Sequence, residues 1–141
     1  MDKDNILLKS EKNLEAAKHL INSTTCFCSS VHCSYYSAFQ YIKYFLCNVH
    51  NISYQDQELL YSIYRNEDKD NKMGSHEFLI YKCFQYIKEN DEAKSNVFNT
   101  NIISLKNQRH KSDYKDKLIN ENNAKDSLAK AKAIKELIEN L

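Results

Sequence analysis

Proline and tryptophan are absent from this sequence, and glycine occurs once, at Gly74. Folds built on many tight turns draw on Gly and Pro at the turn corners. Their scarcity argues against a β-sandwich or a doubly wound sheet and favours helices. An excess of one charge is missing too: 20 Lys+Arg stand against 19 Asp+Glu, a formal charge of +1. That balance speaks against a histone-like grip on nucleic acid over the whole surface, and leaves room for a local basic patch. No apolar run approaches the roughly 20 residues of a membrane span. The opening Asp2-Lys3-Asp4 lacks the basic-then-apolar order of a signal peptide. The expectation is therefore a soluble, cytoplasmic protein with no membrane association.

What is present fits one domain over residues 1–141. The 141 residues are enough for about one unit at the usual 100–200 residues each. A 42% hydrophobic content is enough for one modest core. The five cysteines are an odd count without a secretory signal, which fits reduced thiols better than a disulfide framework. Cys26-x-Cys28-x4-Cys33, with His32 and His50 nearby, invites comparison with a metal site. Zinc ligands come in C-x2-C or H-x3-H pairs, and this spacing is neither. No metal and no cofactor is expected.

Hydrophobic period sets out the helices. The first runs from about Asp4 to Ile21, with Leu7, Leu14, Ala17 and Ile21 on one face, and the Asn22-Ser23-Thr24-Thr25 cluster ends it. The second carries the strongest signal: Val31, Tyr35, Ala38, Ile42, Phe45 and Val49 step by four and three, and Tyr36, Phe39 and Leu46 widen the stripe. A helix apolar over so much of its circumference belongs at the centre of a bundle. Ser53-x-x-Asp56 reads as a capping box before a short helix holding Leu59, Leu60 and Ile63. The polar stretch Asn66 to Ser75 reads as a mobile loop. A further helix is expected from about His76 to Glu89, with Leu79, Ile80, Cys83 and Ile87 inward. The next, capped by Ser95, reaches about Leu118 with Phe98, Ile102 and Leu105 in register. Asn122 or Asn123 starts the last, where Ala124, Leu128, Ala131, Ile134, Ile138 and Leu141 align. The fold class is all-α, a bundle of five principal or six total helices.

Extending the stripe of the penultimate helix one step past Leu105 lands on Arg109. A guanidinium on the register of a buried face needs a partner, because an unpaired buried charge is expensive. One reading is a surface bridge to Asp113 at i+4. The other is a cleft in which Arg109 meets an anion, most naturally phosphate. Around it, Lys106, Lys111, Lys115 and Lys117 oppose only Asp113 and Asp116. His110 and Tyr114 share the adjoining strip. Arg, His, Tyr and Asp on neighbouring strips of one helix can bind phosphate and move a proton. His19, His32 and His50 have no carboxylate partner at ligand spacing and read as structural. No phosphate-cradling glycine loop, nucleophile elbow or H-E-x-x-H motif is present.

Ser34-Tyr35-Tyr36-Ser37-Ala38-Phe39 resembles the small-Tyr-Tyr-small-small-aromatic core of HEPN (higher eukaryotes and prokaryotes nucleotide-binding) domains. His76 near the start of a later helix, Arg109-x-x-Ser112-Asp113-Tyr114 and the alanine-bearing final helix from Ala124 to Leu141 resemble landmarks of the same family in the same order. The resemblance implies an up-and-down helical bundle, commonly a homodimer with its Arg motifs facing across the interface. Many HEPN proteins are metal-independent ribonucleases using Arg, a polar residue, three variable positions and then His. Arg109 and His110 match the first two, and Tyr114 stands at the final His. A phenol with pKa near 10 is a poor base at neutral pH, so catalysis is not to be assumed from the resemblance; Tyr114 can still donate a hydrogen bond, and His110 can substitute as base if it turns inward.

The leading expectation is RNA or nucleotide-phosphate binding through Arg109, Asp113, Tyr36 and Lys106. The resemblance sets this in a toxin–antitoxin or phage-defence module, with a nucleotidyltransferase as the antitoxin partner. One alternative is a metal-independent endoribonuclease using Arg109 with His110 or Tyr114. The other is a non-catalytic structural or partner-binding bundle.

Overall fold

The computed structural model describes residues 4–67, 70, 73–114 and 118–141. Six helices follow in order: α1 Asn5–Ser23, α2 Phe27–Asn48, α3 Tyr54–Glu67, α4 Ser75–Asn90, α5 Glu92–Tyr114 and α6 Glu121–Glu139. Among the described residues there is no strand, and no helix is long and apolar enough to cross a membrane. Much of the expected loop from Asn66 to Ser75 lies outside the described residues, as do Lys115, Asp116 and Lys117; Asn66 and Ser75 themselves are helical.

The helix ends follow local hydrogen-bond chemistry. Asp4 caps α1, its Oδ1 accepting from the amides of Ile6 at 2.7 Å and Leu7 at 3.2 Å. The Tyr54 hydroxyl also donates to this carboxylate at 2.9 Å, tying α3 to the start of α1. Ser53 Oγ accepts from the Asp56 amide, as the capping motif requires. Two caps fall earlier than the sequence suggests. Asp91 Oδ1 accepts from the Lys94 amide at the start of α5, so Ser95 is a buried residue inside the helix and not its cap. Asn120, and not Asn122 or Asn123, caps α6 by accepting from the Asn123 amide. In both places a competent Asx residue came first along the chain and took the orphan amide. The fifth helix is described as far as Tyr114, and Leu118, its expected end, is exposed and not helical.

Helix α2 is the centre of the bundle and packs against α1, α4, α5 and α6. Its buried set is Val31, Tyr35, Ala38, Phe39, Tyr41, Ile42, Phe45 and Leu46, which face Phe78, Cys83 and Ile87 of α4, Phe98, Ile102 and Leu105 of α5 and Ala131, Ile134 and Ile138 of α6. Val49 and Leu141 complete their stripes in the sequence but are exposed, since both lie beyond the last turn of their helix. The packing is antiparallel between α1 and α2 and between α5 and α6. Ser10 pairs with Ser37 and Ala17 with Ser30 across α1 and α2, and Lys94 with Asn140 and Ser104 with Lys130 across α5 and α6. Small residues let α1 lie close on α2. Ser10 Oγ donates to the Ser37 carbonyl and Ser37 Oγ donates to the Ser10 carbonyl, each at 2.7 Å and fully buried.

Helix α3 departs from the apolar pattern. Leu59, Leu60 and Ile63 are exposed, and α3 packs on the core through Tyr61 and Tyr64 against Phe78. Buried Gln57 anchors it, donating to the carbonyls of Lys43 and Ile52 at 3.0 Å. The α2–α5 pairing brings the first half of α2 alongside the last turns of α5, where Ser112 Oγ donates to the Cys28 carbonyl at 2.7 Å. The candidate site forms at that end.

Candidate functional site

Arg109 is carried to the edge of the core by the helical period that buries Phe98, Ile102 and Leu105. Its side chain is only 17% exposed. The guanidinium carbon lies 5.0 Å from the Tyr35 ring centroid, 5.5 Å from that of Tyr36 and 5.7 Å from that of Tyr114. Aromatic faces attract a cation while leaving its N–H edge free to donate. Nε donates to Asp113 Oδ2 at 3.2 Å. Nη2 reaches the Tyr114 hydroxyl at 3.4 Å and the Tyr36 hydroxyl at 3.5 Å, at the outer edge of hydrogen-bond reach. The surface bridge and the cleft are thus not exclusive: Arg109 pairs with Asp113 and also lines a cavity of about 240 Å³ with Tyr36, Gly74, Ser75, His76, Glu77 and Lys106.

The charge on Arg109 is secure. Burial works against it, but the phenol oxygens of Tyr36, Tyr35 and Tyr114 and the Asp113 carboxylate outweigh that and raise its pKa further. Lys106 pairs with Glu77 at the opposite wall. His76 behaves in the reverse way. Burial, followed by the charges of Arg109, Lys106 and Lys43, pushes its pKa down to about 4. At neutral pH its uncharged ring accepts the Tyr35 hydroxyl at Nδ1, 2.9 Å away, and stacks on Phe39 at 3.9 Å. Burial in turn drives the Tyr35 phenol well above its ordinary range, so this hydroxyl remains a donor.

Of the residues singled out in the sequence, Arg109, Asp113, Tyr36, Lys106 and Tyr114 are brought together. His110 is turned elsewhere. Its ring lies 5.3 Å from that of Tyr114, and it lines a separate cavity of about 600 Å³ between α4 and α5, with Ile80, Tyr81, Phe84 and Ile103. The two cavities share Glu77 and Lys106.

One member of the cluster goes unnoticed in the sequence. His32 does have a carboxylate partner: its Nδ1 lies 3.1 Å from Asp113 Oδ2 and 3.3 Å from Oδ1, across α2 and α5. Its ring packs 4.6 Å from that of Tyr36. The available signal was its position one helical turn before Tyr36, which puts both on the same strip of α2. Asp113 thus holds Arg109 on one side and His32 on the other.

The thiols form no such cluster. None of the five cysteines is in a disulfide, and among the described residues no group of His, Cys, Asp and Glu is arranged to hold a metal ion. The arrangement around Arg109 offers a fixed cation with free N–H edges beside aromatic rings, a geometry suited to a phosphate or another oxyanion.

The sequence model of the HEPN domain family matches residues 4–141. No curated protein and no solved structure matches the chain.

Proposed function

The chain belongs to the HEPN domain family, and on that premise we propose that it binds RNA or nucleotide phosphate in the cleft at Arg109. The observation that carries the reading is a guanidinium 17% exposed, flanked by the rings of Tyr35, Tyr36 and Tyr114, that still lines an open cavity. The rings stabilise the cation in either role, but a surface bridge has no use for a guanidinium held at the rim of a cavity. An arginine that receives a phosphate gains an orientation fixed in advance, which lowers the cost of binding. Tyr36 and Tyr114 add hydroxyls at the same place, and Lys106 adds a second cation once an anion competes with Glu77 for it.

The chain acts as one HEPN-like domain and pairs as a homodimer. The dimer is supported by the family and by the exposed side chains of Tyr81 and Ile103 on the α4–α5 face beside the site. Its setting is a cytoplasmic toxin–antitoxin or phage-defence module with a nucleotidyltransferase partner, a reading that rests on the family alone. An endoribonuclease built on Arg109 with His110 is less well supported, because the His110 ring lines the other cavity.

The test is fluorescence anisotropy with a labelled single-stranded RNA and with a labelled nucleotide, across a salt series. Binding that weakens with salt and drops at least tenfold in Arg109→Ala, with the helical circular dichroism unchanged, supports the site. Equal affinity in wild type and Arg109→Ala overturns it. Light scattering that gives only a monomer near 16.6 kDa at micromolar concentrations overturns the dimer.

A further inference from the structure

We propose that the Arg109 site discriminates between free nucleotides by their base. An amino-bearing base, adenine or cytosine, enters the neighbouring cavity between α2, α3 and α4, where Gln57 and His76 read it. The proposal rests on the phosphate reading of Arg109 and adds what that reading leaves open, namely which nucleotide the site takes. The cavity measures about 280 Å³, and its walls include Phe39, Tyr54, Gln57, Tyr61, Ser62 and His76. It shares Ser75 and His76 with the cavity at Arg109. Ligand pockets run to roughly 300–1,000 Å³, so this one has the scale of a base, and the phosphate end of the nucleotide falls to Arg109.

Three features carry this. The first is continuity. The Tyr36 ring centroid lies 5.5 Å from the Arg109 guanidinium carbon and 5.8 Å from the His76 ring centroid, so the imidazole stands one ring away from the arginine. A ribose whose phosphate sits on Arg109 leads its base past His76 into the cavity. The larger cavity between α4 and α5 also borders the site, but Tyr81 and Ile103 on that face are the side chains assigned to the dimer. The second feature is the walls. Phe39, stacked on His76, comes from α2, and the rings of Tyr54 and Tyr61 come from α3. Aromatic walls suit a planar base. The third is the hydrogen-bonding pattern. Gln57 is 1% exposed, and its Nε2 donates to the carbonyls of Lys43 and Ile52, each at 3.0 Å. Only the amide nitrogen can serve two carbonyls, so Oε1 is left as a buried acceptor with no partner. It calls for an N–H. His76 offers the opposite group. Its Nδ1 accepts the Tyr35 hydroxyl, so the neutral ring carries its hydrogen on Nε2 as a donor.

One acceptor and one donor on the walls of one cavity complement an edge that places an amino group beside a ring nitrogen. Adenine presents that edge at N6 and N1, and cytosine at N4 and N3. In hypoxanthine and uracil a carbonyl oxygen replaces the amino group. It would meet Gln57 acceptor to acceptor and leave both oxygens unpaired away from water. Affinity and selectivity therefore reside in different places. Arg109 supplies binding common to every nucleotide, which salt weakens, and the cavity under α3 supplies the difference between bases, which salt leaves in place. The reader is also fixed beforehand: Gln57 is pinned by two backbone carbonyls, and the Tyr54 hydroxyl ties the same helix to Asp4.

The experiment titrates the full chain by calorimetry with the 5′-monophosphates of adenosine, cytidine, inosine and uridine, and with ribose 5-phosphate. The adenosine and cytidine nucleotides should bind about tenfold or more tighter than the inosine and uridine ones. That ratio should hold between about 50 and 200 mM salt while every affinity falls. Ser62→Trp, at an exposed position of α3 that lines the cavity, fills the space. It should weaken the adenosine nucleotide about tenfold and leave ribose 5-phosphate unchanged, with circular dichroism reporting the fold. The adenosine–inosine comparison in wild type stands without any variant. Equal affinity for those two, a preference for inosine, or an adenosine affinity that Ser62→Trp leaves intact each overturns the base site. So does Arg109-dependent binding of an RNA strand with none of the monophosphates held. In all of these the phosphate reading survives, provided binding still requires Arg109. Absence of Arg109-dependent binding by every one of these ligands overturns the phosphate reading and the base site with it.

Discussion

His76 makes the stability of this bundle depend on mildly acidic pH in a way that can be worked out beforehand. In the folded chain its pKa is about 4, against 6.5 for an ordinary imidazole, because burial and the charges of Arg109, Lys106 and Lys43 disfavour the protonated ring. The unfolded chain then binds the proton more readily, so protonation favours unfolding. The neutral ring's contribution is complete above about pH 6.5, declines as pH falls from there, and is fully lost below about pH 4. At 1.36 kcal/mol per pH unit the gap corresponds to about 3.4 kcal/mol, and water reaching a half-buried ring reduces this to about 2 kcal/mol. Urea unfolding of wild type and His76→Gln at pH 7, 6, 5 and 4 isolates the effect. Glutamine can still accept the Tyr35 hydroxyl but does not titrate, and carboxylates such as Asp4 contribute equally to both proteins. Wild type should lose about 2 kcal/mol relative to the variant between pH 7 and 4, a shift near 1 M in midpoint at a slope of about 2 kcal/mol/M. Parallel stability curves across that range would refute the burial of a neutral imidazole at this place. Arg109→Gln should shrink the loss, since it removes the charge that acts most strongly on the ring, although burial remains the larger cause.

Three other outcomes follow from the packing. Phe98→Ala removes a fully buried ring between α2, α5 and α6 and should cost about 3–5 kcal/mol in chemical denaturation. Ser10→Leu forces a branched side chain into the closed α1–α2 seam and should cost about 1–3 kcal/mol or more, while Ser10→Ala, losing one buried hydroxyl, should cost about 1 kcal/mol. With a thiol reagent, exposed Cys26 should react in the native protein, and Cys83 should stay protected until unfolding, because its thiol is fully buried and its pKa is pushed up by desolvation.

The parts of this molecule that could be read in advance are those governed by interactions a few residues apart. The α2 stripe, the inward face of α4 and the Phe98–Ile102–Leu105 register come directly from a 3.6-residue period. Arg109 was visible for the same reason, as a charge placed where the period asks for an apolar side chain. Misreadings arose where local rules offered two answers. Asp91 and Ser95 are both competent caps, and only the chain path between α4 and α5 decides for the first. In α3 the leucines suggested the inner face, yet tyrosines are the larger apolar surfaces there and took the contact with Phe78. His32 escaped because its partner lies on another helix, and no spacing rule along one chain connects α2 to the end of α5.

The crossed hydroxyl–carbonyl exchange between Ser10 and Ser37 works as a register lock. Sliding α1 by one turn would separate both hydroxyls from their acceptors at once, inside a seam where water cannot replace them. Helices α1 and α2 therefore form a splinted rail, and His32, Tyr35 and Tyr36 ride on it as fixed points. Any widening of the groove to admit a ligand has to come from α4 yielding, since Arg109 is tied to that rail through Asp113 and His32 and through the rings of Tyr35 and Tyr36.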